Sequence, residues 1–179
     1  MTARTVMQRS DISRALTRIT HEILESHRSG DDIVVLGIPT RGVILAERIG
    51  ALIGDLSDVP VSVGALDVTM YRDDLSRNVT RTPARTEIPA GGIDGATVVL
   101  VDDVLYSGRT IRAALDALGD IGRPRVVRLA TLIDRGHREL PIRPDFVGKN
   151  LPSAQSERIN LHLLETDGDE FVSIDGGAE

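Results

Sequence analysis

The chain of 179 residues contains no cysteine. That excludes a disulfide framework and any metal site built on thiolates. Long apolar runs are missing as well. No stretch approaches the ~20 residues that a membrane-spanning helix needs, and Met1 to Thr5 have no apolar segment behind them that could act as a signal peptide. A soluble, cytoplasmic protein is expected. An excess of positive charge is also absent. The formal net charge is −6, so nothing global points to nucleic acid, and any such role needs a local basic patch. Lysine is almost unused, Lys149 being the single one among 21 basic residues. There are no internal repeats and no linker that would split the chain, so residues 1–179 are expected to form one domain.

What is present is organised around Val98-Val99-Leu100-Val101-Asp102-Asp103-Val104-Leu105-Tyr106-Ser107-Gly108-Arg109-Thr110. The opening apolar run is β-branched and short, as suits a buried parallel strand. Two carboxylates follow where open α/β sheets place their ligands. Ser107, Gly108 and Thr110 then lead into the amphipathic run 111–118. A strand, a tight turn and a helix start in that order make a phosphate cradle of backbone N–H groups, hydroxyls and the positive helix end. The acid pair would repel a bare phosphate, so it must meet something else, such as sugar hydroxyls or a metal ion. A ribose bearing a 5′-phosphate and a 1-pyrophosphate offers all of these partners.

The flanking elements fit an α/β alternation. Residues 10–26 read as a helix capped by Ser10 or Asp11, with Ile12, Leu16, Ile19 and Ile23 on one stripe. Arg14, Thr17, Arg18 and His21 fall on the opposite face. A strand over 33–38 runs into Gly37-Ile38-Pro39-Thr40-Arg41-Gly42 before a helix over 43–53. A strand over 61–69 precedes a polar, non-periodic segment, 70–87, which reads as a moving lid. Beyond the central stretch come a strand over 126–133 and a loop carrying Arg135, His137, Arg138 and Arg143. A short strand over 145–148 and closing strands over 158–164 and 170–174, joined by the Asp167-Gly168 turn, complete the chain.

The central stretch closely resembles the phosphoribosyl pyrophosphate (PRPP) signature of type I phosphoribosyltransferases. Further pieces narrow the likeness: Arg14-Ala15-Leu16-Thr17-Arg18-Ile19, Thr40-Arg41-Gly42, Tyr71-Arg72-Asp73-Asp74-Leu75, the run from Asp134-Arg135-Gly136-His137-Arg138 to Arg143, and Gly148-Lys149-Asn150-Leu151-Pro152. Together they cover about residues 10–165 and resemble the pyrimidine-operon regulatory protein family, RNA-binding regulators that are also uracil phosphoribosyltransferases. Pro39 departs from the pattern, because family members more often carry Lys there.

The resemblance implies a type I phosphoribosyltransferase fold: a central, mainly parallel sheet flanked by helices, a flexible loop at about 70–87 and a small hood at about 134–165. It implies conversion of uracil and PRPP to UMP and pyrophosphate, with Mg²⁺ as cofactor. Asp102 and Asp103 would hold the ribose diol and, mainly through substrate and water, the metal. Leu105, Tyr106, Ser107, Gly108, Arg109 and Thr110 would hold the 5′-phosphate, Val104 would also contact PRPP, and Thr40, Arg41, Gly42 and Arg72 would hold the pyrophosphate. The family often has a cis non-proline peptide in the pyrophosphate loop, expected here at Thr40–Arg41. Phe146 would stack on uracil, with Val147 backbone groups and Asp134 at its polar edge. Arg14, Thr17, Arg18, His21, His137, Arg138, Arg143 and Lys149 would bind pyrimidine-operon leader mRNA, with UMP as product and effector. A homodimer or higher oligomer is expected. A salvage phosphoribosyltransferase without RNA binding is the alternative. Orotate or purine transfer is disfavoured by the family-specific loop and by Tyr106, where purine relatives carry an Asp.

Overall fold

Burial along two strands sets the layout. In the computed structural model, which describes residues 3–73 and 82–176, Ile33–Gly37 is buried at every position and Thr97–Leu105 is buried over its first six residues. Strands covered on both faces belong in a parallel sheet between helices. The chain runs β1 (Arg4–Gln8), α1 (Arg9–Ser26), β2 (Ile33–Gly37), α2 (Arg41–Leu56), β3 (Val61–Ala65), a 3-10 turn (Thr69–Tyr71), β4 (Thr97–Leu105) and α3 (Arg109–Ile121). It continues as β5 (Val126–Asp134), β6 (Phe146–Asn150), β7 (Arg158–His162), α4 (Leu164–Asp167) and β8 (Phe171–Asp175).

The main sheet has the order β3-β2-β4-β5-β6, and all its pairings are parallel. The period-two alternation of its central strands divides the core. Ile33, Val35, Val99 and Val101 face one side, where α1 and α2 contribute Ile12, Ile19, Leu45 and Ile49. Val34, Leu36, Val98 and Leu100 face the other, where α3 contributes Ile111, Ala114 and Leu118. Burying each such Leu or Ile side chain is worth about 1.5–3 kcal/mol relative to exposure. No helix among the described residues is long and apolar enough to cross a membrane.

Several local expectations are corrected. The first helix begins a turn's edge earlier, with Gln8 as N-cap; Asp11 sits at the third helical position and accepts the Gln8 backbone N–H at 2.8 Å. The preceding strand β1 leaves no mark in the sequence, and it exists because β8 offers it an antiparallel partner. β3 stops at Ala65, and the 3-10 turn replaces the end of the expected strand over 61–69. The range expected to form the hood is divided. β6 belongs to the main sheet, whereas β7 joins a separate three-stranded antiparallel sheet, β1-β8-β7, built from both ends of the chain. The middle of the expected lid, residues 74–81, lies outside the described residues.

Candidate active site

Parallel pairing brings the carboxyl ends of β2 and β4 side by side, Gly37 against Val101. Each strand leads directly into a turn and a helix, so two backbone cradles open on the same rim. The first turn, residues 38–40, is anchored by the Ile38 N–H bonding the Val101 carbonyl at 2.9 Å. Its cis peptide is Pro39–Thr40, one bond before the Thr40–Arg41 bond expected. Gly42, in the first turn of α2, packs against β4 so closely that a Cβ there would meet the Val101 carbonyl oxygen at 2.6 Å. Only a glycine permits that approach.

The second cradle follows β4, which extends through the acid pair to Leu105 rather than ending before it. Asp102 is buried and Asp103 half-buried. Asp102 Oδ1 accepts the Asp103 N–H at 2.9 Å, and Asp103 Oδ1 accepts the Val104 N–H at 2.8 Å. These bonds orient both carboxylates at the carboxyl-end rim of the sheet. Gly108 caps α3 in the left-handed region at φ 92°, and a Cβ there would also press on Ile142 at 3.3 Å. Ser107 Oγ accepts the Arg109 N–H at 3.3 Å. The Tyr106–Gly108 backbone is held from outside. The Ser107 carbonyl accepts from Glu139 N at 2.9 Å, and the Tyr106 carbonyl accepts from Arg138 Nη1 at 2.9 Å.

Three arginines of the expected site have protein partners. Arg72 Nη1 donates to Thr110 Oγ1 at 3.1 Å, which brings the base of the expected lid against the phosphate cradle. Arg109 donates to Glu139 at 2.7 Å and to Asp73 at 2.7 Å, and these bonds, Glu139 first, raise its pKa above the usual arginine value. Arg41, first residue of α2, pairs with Asp167 of α4, Nη2 to Oδ1 at 2.8 Å. Nothing in the sequence pairs Arg41 with a residue 126 positions away. Among the described residues no cluster of three or more His, Asp or Glu side chains stands ready for a metal. The donor set is the acid pair, which suits a magnesium ion held by one or two carboxylates, substrate oxygens and water.

The base-binding expectations fare differently. Asp134 lies at the rim, level with Leu105 and Asn150, and its carboxylate receives Arg138 Nη2 at 2.7 Å and the Gly136 N–H at 3.0 Å. Phe146 does not reach that level. It pairs with Ala130, is 5% exposed and belongs to the core beside α1, so its ring is a packing group and not a stacking surface. Val147 sits level with Thr131, and its carbonyl is already taken by Arg18 Nη1 at 3.0 Å. The half-exposed aromatic ring at the rim is Tyr106, with the Arg135 guanidinium 4.4 Å above it and His137 edge-on at 6.0 Å.

The expected RNA residues separate into two groups. Arg14, Thr17, Arg18 and His21 lie together on the outer face of α1, beside Ser13, Glu22 and Glu25. Arg18 bridges from there to the Val147 and Gly148 carbonyls, and Lys149 beside them donates to the Val6 carbonyl at 3.1 Å. In the loop after β5, Arg143 is exposed, but Arg138 is turned inward. Its side chain is 10% exposed and bonds Asp134 and the Tyr106 and Ile142 carbonyls. His137 bonds the Ser153 carbonyl. The physical reason for the correction is local: a guanidinium beside a partly buried carboxylate and open carbonyls satisfies them instead of facing water.

Comparison with known proteins agrees with this geometry. The phosphoribosyl transferase domain family matches residues 6–165. A Leifsonia xyli protein named bifunctional protein PyrR is 66% identical, with 99% of each chain covered. A Streptomyces coelicolor protein of the same name is 61% identical over 96% of this chain and 89% of its own. Among solved structures, a Bacillus anthracis hypoxanthine-guanine phosphoribosyltransferase superposes with a TM-score of 0.71 at 17% identity, covering 95% of this chain and 96% of its own. A Staphylococcus aureus hypoxanthine phosphoribosyltransferase gives 0.70 at 18% identity, over 98% and 92%. At such identity these two enzymes show the fold alone. The two cradles on one rim, the domain match and the high identity to curated relatives place this chain in the phosphoribosyltransferase family and, within it, among the bifunctional PyrR proteins.

Proposed function

We propose that the protein is a uracil phosphoribosyltransferase and also a regulator that binds pyrimidine-operon mRNA and responds to UMP. The observation that carries the enzymatic half is the acid pair Asp102–Asp103 standing between two anion cradles. One cradle takes the 5′-phosphate, the other the pyrophosphate, and the ribose diol between them meets the carboxylates.

In the reaction the uracil N1–C1′ bond forms as the C1′–oxygen bond breaks; the electron pair leaves with pyrophosphate, and the N1 proton passes to the departing pyrophosphate or to water. The transition state resembles an oxocarbenium ion. Asp102 and Asp103 hold the ribose hydroxyls and favour the positive charge growing on the ring. The residue 106–110 turn and the α3 N-terminus bind the 5′-phosphate through N–H groups and hydroxyls. Arg41 and Arg72 receive the charge that collects on the leaving group. Asp102 and Asp103, together with substrate oxygens, would hold a magnesium ion, which would supply further neutralisation of the pyrophosphate. Asp134, fixed by Arg138, stands at the rim for the polar edge of the base.

The RNA surface is assigned to the outer face of α1 and the adjoining end of β6, with Arg14, Thr17, Arg18, His21 and Lys149, and extends to Arg143. Their grouping in an acidic chain supports the assignment. Assembly into a homodimer or higher oligomer is part of the same proposal. Filter binding of the leader RNA with and without UMP, alongside assays of uracil transfer and light scattering, tests all three parts. Uracil transfer without RNA binding would leave a salvage enzyme only.

A further inference from the structure

We infer that Asp167 is a positioning residue for the pyrophosphate end of the substrate: it holds one edge of the Arg41 guanidinium and leaves the other edge free for the ligand. The inference rests on the phosphoribosyl transfer proposed above and adds a residue outside both cradles.

The contact is side-on. Arg41 Nη2 lies 2.8 Å from Asp167 Oδ1, and Arg41 Nε lies 3.4 Å from Oδ2. A guanidinium is a planar fork of five donors, so a carboxylate on this edge does not use Nη1. Among the described residues Nη1 has no hydrogen-bond partner. Arg41 begins the helix whose next residue, Gly42, packs against β4 beside Asp102. The free amino group is therefore carried on the element that adjoins the acid pair.

Asp167 is itself immobilised. Its Oδ2 accepts the Leu163 N–H at 2.9 Å and the Thr166 hydroxyl at 2.8 Å. The short helix that bears it is stapled to α2 a second time. Arg48, seven residues beyond Arg41 and so on the same helix face, donates to Glu165 at 2.8 Å and 3.0 Å and also bonds the buried Glu170. The connection between β7 and β8 thus rides on α2 through two arginines. A long side chain that would otherwise sample many rotamers is ordered before the ligand arrives, which removes part of the cost of binding.

A rival role makes the opposite prediction. Were Asp167 a decoy that pyrophosphate must displace, removing its charge would tighten binding. Titration calorimetry with PRPP and magnesium, paired with steady-state kinetics, distinguishes the two using Asp167→Asn, Arg41→Ala and the double variant. Positioning predicts that Asp167→Asn raises both the dissociation constant and the KM for PRPP roughly tenfold, with the KM for uracil unchanged. It also predicts no further loss in the Arg41→Ala background, because the two residues act as one unit. Tighter PRPP binding, unchanged binding, or losses that simply add would each overturn the inference. Should Asp167→Asn fail to fold, Asp167→Glu carries the test, with a smaller rise in the same constants. A wild-type protein that binds no PRPP would overturn the phosphoribosyl transfer reading itself, a result separate from these.

Discussion

Gly42 lies against Asp102: a Cβ built on Gly42 would stand 3.4 Å from the Asp102 Cα and 2.6 Å from the Val101 carbonyl oxygen. The first residues of α2 and the acid pair of β4 are thus in backbone contact, and neither can move without the other. Gly42→Ala should push α2 away from β4. A destabilisation of about 1–3 kcal/mol is expected, as for other overpacked sites, together with a higher KM for PRPP. Urea unfolding and initial-rate kinetics check the two effects, and a variant with unchanged stability would show that the packing there is slack.

The acid pair is exposed to a cleaner test. Asp102→Asn and Asp103→Asn keep the shape and the acceptor oxygens that bond neighbouring N–H groups, so the fold should survive. The ribose and metal lose a charged partner, and a fall in kcat/KM of about 100-fold or more is expected for the double variant, the size of one missing electrostatic interaction in the transition state. Normal melting together with full uracil transfer would remove both residues from the mechanism.

The RNA surface predicts a dependence on salt. Arg14→Gln and Arg18→Gln change cations on the outer face of α1, away from both cradles. Removing a cation that pairs with an RNA phosphate should flatten the log–log salt slope of binding by roughly 0.7 for a single strand. Arg18 also bonds the Val147 and Gly148 carbonyls, so its variant should lower the melting temperature more than the Arg14 variant, which loses an exposed ion pair with Asp11. A salt slope identical to wild type in both would place the RNA elsewhere.

Asp167 gives the protein an acid-sensitive interaction. The Leu163 N–H bond, the Thr166 hydroxyl and the Arg41 guanidinium, in that order, hold its pKa at about 2, below the ordinary value of 3.8. A carboxylate whose folded pKa is depressed adds stability above its unfolded pKa, and that stability is lost as pH falls from about 4 towards about 2. Asp11 and Glu165 are lowered in the same direction, by the Gln8 N–H and by Arg48 respectively. Thermal midpoints should therefore fall across this acid range. The gap between wild type and Asp167→Asn, present at neutral pH, should close at the acid end. A gap independent of pH would mean that the charge of Asp167 contributes nothing.

The parts whose signals are local were legible in the chain alone. The buried run before Asp102, the acid pair and the Ser107-Gly108 turn lie within one short stretch, and strand, turn and helix each leave a mark there. The apolar stripe of α1 and its basic outer face are legible for the same reason, since a helix period acts within a few residues. What needed the tertiary structure was every fact set by a distant partner. β1 forms because β8 pairs with it, and Gln8 becomes the cap because that strand ends there. The family resemblance implies a stacking ring at Phe146, yet strand register puts it opposite Ala130 in the core and leaves Tyr106 at the rim. Arg138 and Arg143 look alike in the sequence, but only Arg138 has Asp134 and two carbonyls within reach, so only its charge is turned inward. The Arg41–Asp167 pair spans 126 positions, and no local rule joins them. Periodicity and turn chemistry act along the chain, whereas register and charge pairing act across it, and the second kind appears only once the sheets have closed.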